Sequence, residues 1–202
     1  ARGVELASEA FSLYVKAAKG GVIPALNNVA NMLAQGVGCD KDEAKALKWY
    51  GAAAEMGDPL AMFTLATWSN QGRAGPEDWE VGFRWHEESA RLGLPRAMFN
   101  MGYHYLTGKG VEKNFGKAAE WFKLAAERGM PEACVNLGEI YRLGLGLPSP
   151  RFSEALKWHE RAQALGSTFA AEILQDRRNF QPGAEDKARD AQEPAVGMSV
   201  DK

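Results

Sequence analysis

Apolar and small residues recur along this chain with a period of about 36 residues, and each period contains two helical stretches. Residues 97–108 place their apolar side chains at the spacing of one helical face, and residues 114–129 do the same. A tryptophan marks each period, at Trp49, Trp85, Trp121 and Trp158. A fixed period of this length is typical of stacked repeats, in which neighbouring units bury each other's apolar faces.

Glycine, asparagine and proline residues predict where the helices of one period begin and end. Gly108 is expected to end the first helix, because glycine adopts a left-handed C-cap without steric cost. Asn114 is a candidate N-cap of the second helix, which ends at Gly129, and Pro131 suits the first turn of the next helix. We therefore expect an antiparallel helix pair in which the large Trp121 side chain fills the space between the helices.

The periodicity also divides the chain into segments. We expect a partial unit that supplies only a second helix, four complete units, a closing helix and a polar tail that cannot fold alone. The predicted bounds are, in that order, 1–24, 25–60, 61–96, 97–132, 133–169, 170–176 and 177–202. The missing first helix of the partial unit leaves an apolar edge that something must cap.

Composition excludes several classes of protein. The net charge is −2 and the sequence pI is about 6.0, with no basic stripe, so nucleic acid is not the expected partner. No apolar run approaches the roughly 20 residues that span a bilayer. The only two cysteines, Cys39 and Cys134, occupy non-equivalent places, so packing rather than disulfides must stabilise the fold. The start at Ala1 fits either a mature terminus, as in an organellar protein after loss of a presequence, or an artificial boundary.

No arrangement of residues indicates catalysis. His86, His104 and His159 come from different periods, and no zinc-ligand spacing occurs. The glycines after each first helix recur with the repeat, so they are turn glycines rather than a phosphate loop. No recognisable nucleophile motif is present. We therefore predict no catalytic residue, no cofactor site, no metal site and no enzymatic activity.

The repeated pattern Ala-x-x-Asn-x-Gly, Gly-x-Gly-Val, Ala-x-x-Trp-(aromatic)-x-x-Ala-Ala-x-x-Gly resembles the Sel-one-like repeat, a longer relative of the tetratricopeptide repeat. The third unit supplies it as Ala97, Asn100, Gly102, Gly108, Gly110, Val111, Ala118, Trp121, Phe122, Ala125, Ala126 and Gly129. The second unit departs from it, with Thr64 and Ala66 in place of Asn and Gly. The expected fold is an all-α, right-handed α/α superhelical solenoid of about four helix-pair repeats plus the partial unit.

The resemblance implies an adaptor or scaffold that holds partner proteins in a concave groove. If the first helices line the groove, eight side chains on one face are candidates for contact with the partner. They are Asn28, Met32, Thr64, Trp68, Asn100, His104, Asn136 and Ile140. The alternative interpretation is that the asparagines bond neighbouring loop backbone. We expect other protein chains as partners, within a multi-subunit complex, contacted through the groove and the tail.

Two other functions are kept as alternatives. Some cysteine-rich members of the family are linked to penicillin binding and weak hydrolysis, so the resemblance also allows a hydrolase of the penicillin-binding or β-lactamase-like type. This chain lacks the cysteine pairs of those members. RNA binding by a helical repeat is a third possibility, which the mild acidity disfavours.

Overall fold

The computed structural model describes residues 2–73, 75–175 and 180 of the 202-residue chain. Every regular element in these residues is a helix, so the predicted all-α class is confirmed. Two compact units divide the chain between Leu94 and Pro95. The predicted polar tail at 177–202 lies outside the described residues, apart from Phe180.

Consecutive helices form antiparallel pairs within each unit. Unit 1 contains α1 (Arg2–Lys19), α2 (Ile23–Gln35), α3 (Glu43–Glu55), α4 (Pro59–Asn70) and α5 (Trp79–Arg91). Unit 2 contains α6 (Pro95–Thr107), α7 (Phe115–Glu127), α8 (Pro131–Leu143), α9 (Phe152–Ala164) and α10 (Thr168–Gln175). Within each unit every second helix packs on its own first helix and on the first helix that follows.

Local sequence explains the helix ends. Asp42, Asp78 and Asn114 are N-caps, as predicted, and Asn114 Oδ1 accepts the backbone N–H of Lys117 at 2.9 Å. Gly144 ends α8 in the left-handed conformation, with φ of 65°. The first helices begin two residues before the unit boundaries expected from the sequence, because a proline such as Pro131 occupies their first turn.

The core of each pair contains the aromatic ring that follows the tryptophan, and this corrects the expected role of Trp121. The four tryptophans of the period are only partly buried. The residues that follow them are 0–4% exposed, and they are Tyr50, His86, Phe122 and His159. A Cβ at Gly102 would lie 2.6 Å from the Phe122 ring, and one at Gly138 would lie 2.7 Å from the His159 ring. A small residue on the first helix therefore admits the ring of the second.

The end helices are held by fewer neighbours. Helix α1 packs against α2, and the turn after α2 touches it so closely that a Cβ at Gly38 would collide with the backbone of Ala7 and Ser8. Helix α10 packs against α9. The ring of Phe180 also contacts His159 of α9, with centroids 5.7 Å apart and the planes at 67°.

Candidate binding site

The structure separates the eight predicted groove residues into an accessible group and a buried group. Asn28, Met32 and Thr64 are partly exposed on the first helices of unit 1. The other five are at most 5% exposed, and they are Trp68, Asn100, His104, Asn136 and Ile140. Side chains enclosed to this degree cannot contact a partner, so the accessible part of the predicted stripe reduces to the three residues of unit 1.

Packing explains why the buried group is unavailable. Trp68 lies with its ring edge-on to Tyr50, at a centroid distance of 5.4 Å, and the Arg73 guanidinium covers it at 4.0 Å. His104 Nδ1 lies 2.7 Å from the carbonyl oxygen of Lys109, in the turn after α6. At His104 the structure therefore shows the kind of loop-backbone bonding that the sequence left open as an alternative for the asparagines.

A depression of about 720 Å³ lies on unit 1 between the first helices α2 and α4. Asn28 and Thr64 line it, so two of the predicted residues meet at one site. Ile23, Pro24 and Leu60 supply apolar wall, and Leu60 is 56% exposed. Mixed walls of this kind, with a few placed polar groups on an apolar surface, are typical of binding sites.

Most polar side chains of the depression are fixed by bonds within it. Tyr50 donates its hydroxyl to Asn31 Oδ1 at 2.7 Å, and Asn27 donates to the Asp58 carboxylate. Asp58 also accepts the backbone N–H of Leu60 at 2.9 Å, which caps α4. Burial raises the pKa of the Tyr50 hydroxyl, so this group remains a donor over the physiological range.

Asn28 differs from these neighbours because its side-chain amide makes no hydrogen bond within the described residues. Asn31, which is exposed, uses only its oxygen on Tyr50, so its NH₂ group is available. An amide presents one carbonyl acceptor and two N–H donors. The two asparagines, seven backbone positions apart in reach of one ligand only through the depression between them, can pair with the N–H and C=O groups of an extended peptide.

The charge of the depression is small and negative. Asp58 is the one ionisable carboxylate in its wall, and no lysine, arginine or histidine lines it. Binding an anion beside Asp58 would cost electrostatic energy without a compensating cation. The site therefore suits a neutral or positively charged segment rather than a phosphate or a carboxylate.

Potential nucleophiles elsewhere are held in unreactive states. Burial raises the pKa of the Cys134 thiol, and burial together with Asp40 raises that of Cys39, so both stay protonated at neutral pH. Ser89 is fully buried and donates its hydroxyl to the Pro59 carbonyl oxygen at 2.7 Å. Among the described residues, no three His, Cys, Asp or Glu side chains converge in a way that would hold a metal ion.

A buried ionic cluster in unit 2 is structural in character. Glu139 Oε2 lies 2.6 Å from Arg142 Nη2, and Glu139 Oε1 lies 3.1 Å from His159 Nε2. Burial would raise the pKa of Glu139, but the neighbouring His159 ring and Arg142 guanidinium outweigh it and hold the pKa below its ordinary value. The cluster ties α8 to α9 and offers no open position to a substrate.

Sequence reasoning did not select Asn27, Asn31, Tyr50 or Asp58. A signal for Asn31 and Tyr50 exists, because they occupy the same repeat positions as Glu139 and His159, a second polar pair across one helix pair. Asp58 carries the signature of an N-cap before Pro59. Its contact with Asn27 depends on the approach of two helices, which no spacing rule predicts.

Comparison with known proteins agrees with this architecture. A family model described as Sel1 repeat matches residues 6–22, 23–58, 59–94, 95–130 and 131–167. A Sel1 repeat protein from Oxalobacter formigenes is 29% identical, with a TM-score of 0.75 over 92% of this chain and 80% of that one. No curated protein matches the sequence. No described helix has the length and apolar character that crossing a bilayer requires.

Two further solved structures are similar. The protective antigen c5321 of uropathogenic Escherichia coli, which displays an SLR fold, is 28% identical, with a TM-score of 0.78 over 81% of this chain and 35% of that one. Cysteine rich protein B of Helicobacter pylori is 22% identical, with a TM-score of 0.52 over 65% of this chain and 94% of that one, so this likeness concerns the fold alone. Because the family pattern covers residues 6–167 in five consecutive copies, the chain belongs to the Sel1 repeat family.

Proposed function

We propose that this chain is a non-catalytic adaptor that holds an extended segment of a partner protein in the depression between α2 and α4. The available amides of Asn28 and Asn31, set beside the exposed Leu60, carry this proposal. Amide groups satisfy main-chain donors and acceptors irrespective of sequence, while an apolar wall selects side chains. Sel1-repeat proteins are generally interaction scaffolds, which is consistent with this role.

The charge of the site narrows the partner segment. Asp58 contributes a negative charge, and no cationic side chain lines the depression. We expect the bound segment to be neutral or to carry a lysine or arginine near Asp58, and to lack acidic residues there. Complementary charge of this kind steers encounter and selects among partners more than it adds affinity.

Selection from a displayed library of random twelve-residue peptides tests the proposal directly. Peptides enriched on the wild-type chain are expected to lose binding to Asn28→Arg, because the longer cationic side chain removes the amide and fills the depression. The matched control is Ala44→Arg, which introduces the same residue at an exposed position of α3 outside the depression. Thermal melting should show that both variants remain folded.

The outcome against the proposal is equally specific. If no peptides are enriched, or if enriched peptides bind Asn28→Arg as tightly as Ala44→Arg, then the depression is not a peptide site. Enrichment of acidic peptides would refute the charge argument while leaving the location in place.

The proposal extends to membership in a multi-subunit complex. A photo-crosslinking residue at position 60 places the probe in the depression, since Leu60 lies in its wall. A single partner crosslinked from this position, and not from position 44, would identify the complex, and loss of the product in Asn28→Arg would assign it to the site. No observation favours the hydrolase alternative, because the described nucleophiles are buried or protonated.

A further inference from the structure

Helix α1 has the sequence of a second helix of the repeat, but no first helix precedes it in the structure. Moving along the chain by 36 residues aligns Ala10, Tyr14 and Ala17 with Ala46, Tyr50 and Ala53. In the pair α2–α3 the first two repeat positions face the first helix, as the bond from Tyr50 to Asn31 of α2 shows. The same positions of α1 therefore form a face built to receive a helix.

Exposure at these positions separates α1 from the complete pairs. Tyr14 is 39% exposed, whereas the equivalent rings of α3, α5, α7 and α9 are 0–4% exposed. Ala10 and Ala17 are partly exposed, while their counterparts in the other four second helices are buried. Leu13, which takes the tryptophan position, is 62% exposed. The residues that are enclosed four times elsewhere in this chain are left open at α1.

The internal repeats show what covers such a face. In each complete pair the cover is an α-helix with alanine four residues before a large apolar residue, which is followed by a small residue. These triplets are Ala25–Val29–Ala30, Ala61–Leu65–Ala66, Ala97–Met101–Gly102 and Ala133–Leu137–Gly138. The small residue gives the ring its space, since a Cβ at Gly102 or Gly138 would strike the ring of the partner helix.

We propose that the α1 face formed by Ala10, Leu13, Tyr14 and Ala17 is a docking site for an α-helix of a partner chain that carries the pattern Ala-x-x-x-(large apolar)-(Ala or Gly). The residue after the small one should be a hydrogen-bond acceptor, because Tyr14 retains the hydroxyl that Tyr50 donates to Asn31. The site continues the series of helix-on-helix contacts already present in the chain. It is separate from the depression between α2 and α4, so it stands whether or not that depression binds a peptide.

A stapled peptide is the probe. It copies residues 22–37, which include α2 with Ala25, Val29, Ala30 and Asn31, and its staple joins positions 24 and 28, which face the depression in the intact chain. The staple keeps the peptide helical, since a free helix of this length is marginal in water. Binding of the labelled peptide to the full chain is followed by fluorescence anisotropy.

The expected result is saturable binding that weakens about tenfold or more for Tyr14→Lys, as loss of a central aromatic contact does in other interfaces. Ser12→Lys is the matched control, because Ser12 is exposed on α1 and is not part of the docking face. A peptide with Ala30→Leu should bind as weakly to the wild-type chain as the original peptide binds to Tyr14→Lys.

Three outcomes would overturn the proposal. The stapled peptide could fail to bind, or it could bind Tyr14→Lys and Ser12→Lys equally. The wild-type chain could also be a dimer by light scattering that Tyr14→Lys converts to a monomer, in which case the face joins two copies of this chain rather than a partner. Binding that Asn28→Arg abolishes, while Tyr14→Lys leaves it unchanged, would assign the peptide to the depression instead.

Discussion

The contact between Gly102 of α6 and the Phe122 ring of α7 gives a sharp test of how the helix pairs pack. A Cβ at position 102 would lie 2.6 Å from two carbons of the ring. Phe122 is 0% exposed and also packs against Phe99, with centroids 5.4 Å apart. Because the ring is enclosed on its other sides, it cannot move away freely, and we expect Gly102→Ala to destabilise the protein.

Two opposing effects set the magnitude. Overpacking a filled interior costs about 1–3 kcal/mol, while replacing a helical glycine by alanine gains about 0.5–1 kcal/mol. The net loss should be about 1 kcal/mol. In a Phe122→Ala background, which itself should cost about 3–5 kcal/mol, the new methyl group enters vacated space. There Gly102→Ala should stabilise by about 0.5–1 kcal/mol, so the sign of its effect reverses.

Urea unfolding followed by circular dichroism measures the four corners of this double-mutant cycle, with an expected coupling of about 2 kcal/mol. The control is Gly51→Ala in α3, where a Cβ would meet nothing within 4 Å, so the substitution should stabilise in the wild-type background. If Gly102→Ala stabilises as Gly51→Ala does, the ring does not occupy the space beside Gly102 and the packing argument is wrong.

Three further substitutions or reactions test separate parts of the structure. Asp58→Ala removes the α4 cap and the partner of Asn27, and should cost about 1–2 kcal/mol in thermal or urea unfolding, whereas Asp58→Asn, which keeps a capping oxygen, should cost less. Glu139 has a lowered pKa in the folded state, so its contribution is present above its unfolded value near 4.5 and is lost as the pH falls through the folded value. Glu139→Gln should therefore flatten the decline of stability on the acidic side of pH 4.5, and an unchanged pH profile would contradict the assignment. A thiol reagent should label Cys39 in the native protein and Cys134 only after unfolding, because Cys134 is 0% exposed; rapid native labelling of both would refute the placement of α8.

The helix pairs could be predicted from the sequence because their signals are local. Gly36, Asn114 and Pro131 act within one or two turns of their own positions, and they mark helix ends in the structure as they do in the sequence. The identity of the core ring could not be predicted in the same way. Trp121 and Phe122 are adjacent and both apolar, so periodicity alone does not decide which of them faces the first helix. Gly102 decides it, through a close approach that only the paired helices reveal.

The predicted groove was only partly usable for a similar reason. Asn28, Asn100 and Asn136 share one repeat position, but the repeats bury them to different extents. Neighbouring side chains at other positions, such as Trp68 in unit 1, determine whether the position stays open. A repeat pattern therefore predicts which side chains are equivalent, while their accessibility depends on contacts that differ from copy to copy.

The two proposed surfaces of unit 1 differ in the form of chain they can bind, although α2 adjoins both. The depression offers the amides of Asn28 and Asn31, which can satisfy main-chain groups, so it favours an extended segment whose N–H and C=O groups need partners. The α1 face offers three apolar side chains and the Tyr14 hydroxyl. An extended segment placed there would leave its main-chain groups without partners, whereas a helix satisfies them internally. Backbone hydrogen bonding thus assigns a strand-like ligand to one surface and a helix to the other.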